Sequence, residues 1–281
     1  QGDPMLPSSF VRRCCAILTA AAAVLAGVPA AAQGDLLVAP TRVVINNGGQ
    51  AEVVLSNIGA KPATYRISLE LRRMDESGDF SDVEEAAANP AERSALDMIR
   101  YAPRRITLLP GQPQAVRISV RPPTELPDGE YRVHMSFRAI PDATAPEAAP
   151  AGGGETGVSI RLTPIYGITI PVFVRKGRLE AQASLANPKL IRNDRGAYIE
   201  LDMGRSGQRS IYGELIGKGP RGEVLFNLRG IAVYPEITRR KVFVPLNAEQ
   251  LAKLKGPVKI EYRELPENGG ALLAETTASF Q

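Results

Sequence analysis

His134 is the only histidine in the 281 residues, and a general base is the first chemistry to test for it. In EYRVHMSFRAI the two-residue period of a strand puts it on one face with Arg132, Ser136 and Arg138, while Val133, Met135 and Phe137 face the other way. That is a polar-face residue without the orienting partner a catalytic base needs. The only cysteines, Cys14 and Cys15, sit in an apolar run near the start. The rest of the chain therefore has no disulfide framework, no thiolate chemistry and no histidine–cysteine zinc set. No glycine-rich phosphate loop with its lysine is present. Asp75, Glu76 and Asp79 lack the spacing of a calcium loop and read as a solvated turn. What remains is recognition chemistry. Arg42 interrupts LLVAPTRVVI among Val38, Pro40, Val43, Val44 and Ile45. A guanidinium there needs an anionic partner, or a stem long enough to carry it to water. Neither an enzyme activity nor a cofactor is expected.

The element that dominates the chain is Val158 to Val174, VSIRLTPIYGITIPVFV. Its even positions, from Val158, Ile160 and Leu162 through Tyr166 to Val172 and Val174, form an almost unbroken apolar face at strand period. A strand usually runs to about five or six residues, so this face is longer than a small core requires. Periodicity alone admits two uses, a buried core face or a surface kept for another chain. Pro164 and Pro171 have opposite parity and point their missing donors to opposite sides, which only an edge or bulged strand tolerates.

Around it the chain is organised as a leader and two all-β units. Residues 10–32 carry Arg12 and Arg13, an apolar run and small residues ending at Ala30, Ala31 and Ala32, the pattern of a secretory signal peptide cleaved after Ala32. Residues before Met5 read as an upstream extension, and the twin arginines leave both the general and the twin-arginine export routes open. Without Arg12, Arg13 and Asp3 the formal balance is +3, spread along the chain with few aromatic residues, which argues against nucleic-acid binding. From residue 33 to 175 short strands alternate with turn residues: LLVAPTRVVI, EVVLSN, TYRISLELRRM, RRITLLP, QAVRISVRP, EYRVHMSFRAI and the long strand. Ser81 with Glu84, and Asn89-Pro90 with Glu92, predict a helical insertion at about 79–100. The Pro/Ala/Gly-rich stretch at about 141–156 predicts a mobile loop. Arg175-Lys176-Gly177 marks a hinge, and seven further strands with a short helix capped by Asn247 fill 177–281. The expected fold is all-β, with two sandwiches of immunoglobulin type.

Four segments in order resemble the periplasmic pilus-assembly chaperones of the P-pilus type. TRVVINNGGQAEVVLSN is similar to that family's first two strands. RYAPRRITLLPGQPQAVRI is similar to its proline turn and Leu-x-Pro-Gly segment, DGEYRVHMSFRAIP to its F strand, and IYGITIPVFVR to its G strand. The resemblance implies two immunoglobulin-like domains set as a boomerang, a periplasmic location, and donor-strand complementation. In that mechanism the G strand is lent to a pilus or fimbrial subunit that lacks its last strand, and the subunit is passed to an outer-membrane usher. The alternative reading is a non-enzymatic binding or structural module of the same fold, whose G-strand edge is capped by its own loop or by a dimer partner; a self-capped dimer is also the expected state of a free chaperone.

The resemblance also implies particular residues. Val158, Ile160, Leu162 and Tyr166 would fill the subunit groove, while Ile168 to Val174 cover the chain's own core. Arg42 would hold the subunit's C-terminal carboxylate. The family's second anchor is a lysine on the G strand, where this chain has Pro171, leaving Arg175, Arg104 and Arg105 as substitutes. An interdomain network of an arginine, a glutamate and an acidic residue would fall to Arg117, Glu130 and Glu267.

Overall fold

Proline decides how the first strand begins. LLVAPTRVVI, expected as one strand, is two: the chain bends at Pro40, β1 (Leu36–Ala39) joins one sheet and β2 (Val43–Asn46) the other. The computed structural model describes residues 36–141, 165–194 and 196–280. The expected leader, nearly all of the expected loop at 141–156, and Val158, Ile160 and Leu162 lie outside them.

The first sandwich pairs two sheets. One has the order β1, β3 (Gly49–Asn57), β8 (Pro113–Val120), β6 (Ile99–Ala102). The other has the order β2, β10 (Gly167–Lys176), β9 (Gly129–Ile140), β4 (Ala63–Met74), β5 (Phe80–Val83), with β7 (Arg105–Leu108) also on β4. Every named pairing is antiparallel except β2 with β10. The core takes alternate residues from both sheets: Val53 and Leu55, Val116 and Ile118, Ile67 and Leu71, Val133, Met135 and Phe137, and Ile170, Val172 and Val174. Each such side chain contributes about 1.5–3 kcal/mol on burial. The even positions of β10 thus cover the chain's own core.

Between β5 and β6 lies helix α1 (Pro90–Met98). Asn89 and Glu92 form the expected capping box, Pro90 opens the first turn, and Ala95 and Met98 turn into the core. The other expected start, the capping box of Ser81 with Glu84, is a correction: Ser81 lies in β5, opposite Arg73, because the outer edge of β4 is free there to take a strand, and only a 3-10 turn, Glu85–Ala87, follows Glu84.

Gly177 links the sandwiches with φ +80°, and a Cβ there would come within 2.1 Å of Asp128. Its N–H donates to Asn47 Oδ1 at 2.8 Å, so the link is tied to the first sandwich. The second sandwich has one sheet of β11 (Ala181–Asn193), β12 (Gly196–Gly207) and β15 (Arg239–Leu246). The other is β14 (Val224–Val233), β13 (Ile211–Lys218), β16 (Pro257–Arg263) and β17 (Leu272–Ser279). Its core holds Ile199, Leu201, Met203, Leu215, Val242, Val258, Ile260 and Tyr262. Asn247 caps a short helix, α2 (Ala248–Lys253), as its sequence predicts. The two immunoglobulin-like sandwiches have separate cores, and residues from Leu36 onward form one compact unit. Among the described residues no helix is long and apolar enough to cross a membrane.

Candidate functional site

Strand β10 is fully paired on one side and half open on the other. Its ladder with β9 runs from Gly167 opposite Arg138 to Lys176 opposite Gly129. The Ala139 N–H donates to the Tyr166 carbonyl at 2.9 Å, which fixes the phase: even residues of β10 bond β9, and odd residues turn their backbone groups the other way. On that other side β2 pairs only with Val172 to Arg175. Gly167, Thr169 and Pro171 therefore face an edge that no described strand occupies. The N–H that Pro171 lacks is one that would point into this open edge, which is why a proline fits inside a ten-residue strand.

Arg42 stands where the open edge ends, one residue before β2 begins. Its guanidinium carbon lies 3.9 Å from the ring centre of Phe173 and 4.3 Å from that of Tyr212, with Tyr234 at 5.9 Å. Phe173 belongs to the odd, outward face of β10, and Tyr212 and Tyr234 come from the second sandwich, so Arg42 joins the two bodies. Stacking of a partly desolvated guanidinium is worth on the order of 1–2 kcal/mol per ring and leaves its in-plane donors free. Nη2 donates to Ser210 Oγ at 3.3 Å. Among the described residues Arg42 forms no ion pair. Burial pulls its guanidinium below the ordinary arginine range, and the Tyr234 hydroxyl and Glu130 partly oppose that shift. Stacked on aromatic rings and bonded at one edge to Ser210, the guanidinium has no carboxylate at ion-pair distance among the described residues.

The charges expected to accompany it are distributed differently. Arg175 is committed to Glu130, with Nε 2.8 Å from Oε2. The fully buried Glu130 carboxylate also accepts from the Ser210 N–H and hydroxyl, each at 3.0 Å. Arg104 is exposed and donates to the Tyr101 hydroxyl at 3.2 Å, and Arg105 lies on β7 opposite Arg66. Neither reaches Arg42.

The triad of Arg117, Glu130 and Glu267 does not come together. Arg117 is on β8, whose inward positions are Val116, Ile118 and Val120. It therefore points outward from the other sheet and pairs with Glu52 at 2.9 Å. Glu267 pairs with Arg229 at 3.0 Å. Of the three only Glu130 lies at the junction, where its partners are Arg175 and Ser210. Of the four residues expected in the subunit groove only Tyr166 is described, and it lies just before β10, 46% exposed.

Sequence reasoning missed the residues that complete the junction. Arg132 donates to Glu236 Oε1 at 2.6 Å and stacks on Tyr234 at 4.1 Å, so Tyr234 has guanidinium neighbours in both Arg42 and Arg132. Glu236 also accepts the Met74 N–H at 2.8 Å. Met74, Phe173, Ala232 and Tyr234 form a small apolar cluster of their own. One signal was present: Phe173 is a large aromatic residue on the mixed face of β10, out of phase with the core positions.

No protein-family model and no curated protein matches the sequence. Solved structures do. The CupB2 chaperone of Pseudomonas aeruginosa is 14% identical, covering 87% of this chain and 100% of its own, with a TM-score of 0.46. The E. coli chaperone DraB is 16% identical over 88% and 96% of the two chains, with a TM-score of 0.44. A pre-assembly complex of a chaperone with a tip adhesion subunit, from the archaic chaperone-usher Csu pili of Acinetobacter baumannii, matches at 14% identity over 87% and 97%, also at 0.44. With identities this low and superpositions this loose, the function of this chain rests on its own residues.

Proposed function

We propose that the protein is a periplasmic chaperone that binds pilus or fimbrial subunits by donor-strand complementation and hands them to an outer-membrane usher. In this reading 33–175 is the subunit-binding domain, 177–281 its companion, and Val158, Ile160, Leu162 and Tyr166 enter the groove of the subunit. The observation that carries the reading is the open edge of β10 at Gly167 to Pro171, which terminates on Arg42. A strand added there takes main-chain hydrogen bonds from Gly167 and Thr169 and continues the line of β2. Because β2 runs parallel to β10, an incoming strand of the same direction ends where β2 starts. Its C-terminal carboxylate then meets the Arg42 guanidinium, while an antiparallel strand would bring an amino group to a cation. Ser210 assists by holding one donor of the guanidinium. With Arg175 engaged by Glu130 and Pro171 uncharged, Arg42 is the principal anchor.

The test is co-purification from periplasmic extract of cells that carry the neighbouring genes, comparing wild type with Arg42→Ala. A small β-protein recovered with the wild type and lost with the variant supports both the binding mode and the anchor. Recovery with both keeps the chaperone reading and moves the anchor elsewhere. Recovery with neither, together with a stable dimer of the wild type, replaces the reading by a structural module whose edge is capped by a second copy.

A further inference from the structure

The outward face of the sheet that carries β10 holds an arrangement that folding alone disfavours. Arg105 on β7 lies directly opposite Arg66 on β4, and Arg66 lies directly opposite Arg138 on β9. Residues opposite one another in a sheet share a face, so three guanidinium groups stand in one row across three adjacent strands. All three side chains are exposed, and none forms an ion pair or hydrogen bond among the described residues. Like charges directly opposite destabilise a sheet. Hydroxyl rows flank the arginines: Thr64 and Thr107, joined at 2.9 Å, on one side, and Ser68, Ser136 and Thr169 on the other. On the side of Arg138 away from β10 lies a cavity that Glu70, Asp82, Glu84 and Glu85 also line, and of these Glu70 and Asp82 are bonded to Arg72 at 3.3 and 3.0 Å.

The row runs into the open edge. The residue of β10 opposite Arg138 is Gly167, which places no side chain between Arg138 and the free side of the strand. Strands are spaced by about 4.8 Å, so an added strand would lie roughly 10 Å from the Arg138 backbone, within the combined reach of an arginine and an acidic side chain. A groove of about 480 Å³ lined by Arg138, Arg72, Ser136, Thr169, Gly167 and Ile165 occupies that place. Guanidinium beside hydroxyl donors, with no carboxylate of its own, suits a carboxylate guest.

We infer that the Arg138–Arg66–Arg105 row is a selectivity strip, reading acidic side chains on the strand that docks along the open edge of β10. This rests on the edge-binding reading above and adds to it the chemistry of the partner. Arg138 makes the contact, and Arg66 and Arg105 raise the local positive potential beside it.

The test uses the full chain and two short fluorescent peptides with alternating valine and free C-terminal carboxylates. One carries Asp at each outward position, and the other carries Asn. Binding is followed by anisotropy at low and high salt for wild type, Arg66→Gln/Arg138→Gln and Arg42→Ala. The wild type is expected to prefer the Asp peptide by roughly five- to tenfold, the size of two exposed ion pairs. The preference should shrink at high salt and disappear in the double variant, while Arg42→Ala weakens both peptides alike. Relief of the like-charge row should also leave the double variant at least as heat-stable as wild type, a result that a structural role for these arginines would reverse. Equal binding of the two peptides by wild type overturns the strip and keeps the edge. Binding of neither overturns the edge reading and the strip with it. Vesicles of anionic phospholipid captured through the same arginines, with no preference for the Asp peptide, would identify the row as a lipid-headgroup surface instead.

Discussion

Burying a histidine between arginines makes stability depend on pH in a calculable direction. His134 is 4% exposed, with Arg132 on its own strand, Arg72 and Glu70 on β4, Pro171 opposite on β10 and the Phe80 ring edge-on at 5.3 Å. Burial first, then Arg132 and Arg72, hold its pKa down at about 3. The unfolded chain takes up a proton near pH 6.5 and the folded chain does not, so stability is intact above 6.5 and falls as the pH drops toward 3. Between pH 6.5 and 5 the loss should be about 2 kcal/mol. It is to be read from urea unfolding midpoints, and His134→Gln should flatten the slope in that window. A wild-type slope that survives the substitution would place the pH sensitivity elsewhere. Below about pH 4.5 a second loss begins as Glu261 is protonated. Its pKa is lowered to about 2 by its bonds to Lys218 and Arg263, so its contribution is present above the unfolded value and disappears as the pH falls. Arg42 was legible in the sequence because a charge among apolar strand residues needs an explanation. Its aromatic cage was not legible, since Tyr212 and Tyr234 come from about 170 and 190 residues away and no periodicity links them to it.

The elements themselves were readable where period and punctuation agreed. Alternation placed β3, β8 and β9, and Asn89-Pro90 with Glu92 placed the start of α1, because those signals are local. Asn89→Ala should cost about 1 kcal/mol of stability, seen as a lowered unfolding midpoint, since the helix loses one of its few side-chain caps. Reading failed where tertiary pairing decided the outcome. Ser81 went into a strand because β4 offered an edge, and Arg117 faced away from Glu130 because cross-strand register assigned it to Glu52. Pro171 allows an element-level test of the open edge. Pro171→Val restores a donor that points away from β9, so folding stability should change by no more than about 0.5 kcal/mol. Self-association should rise instead, because an unbroken row of unpaired donors on a free edge recruits another strand. Light scattering after gel filtration separates the outcomes: a variant that stays as monodisperse as wild type would mean that the edge is not available in solution.

At the scale of the whole molecule, the proposed function needs the two sandwiches held so that Tyr212 and Tyr234 stay around Arg42. Two ties do this from different sides. One is Glu130, which gathers Arg175 and Ser210. The other is the β4–β5 hairpin, whose Glu76 carbonyl accepts the Lys241 N–H at 2.7 Å and whose Gly78 lies against the Arg240 guanidinium. Glu236 completes it by joining the Met74 N–H to Arg132, whose side chain is only 10% exposed. Glu236→Gln removes the charge that balances a nearly buried guanidinium, so it should cost about 2–3 kcal/mol. The exposed pair between Arg239 and Glu76 should matter far less, and Arg239→Gln is expected to stay within about 0.5 kcal/mol of wild type. The native cysteines, Cys14 and Cys15, lie in the expected leader, so spin labels on cysteines introduced at Gln114 and Gln182 can report on the two bodies. Glu236→Gln should broaden the distance distribution between the labels and weaken any partner that depends on Arg42, whereas Arg239→Gln should do neither. An unchanged distribution in Glu236→Gln, with a broadened one in Arg175→Gln, would assign the junction to Glu130 alone and reduce the hairpin to a local contact.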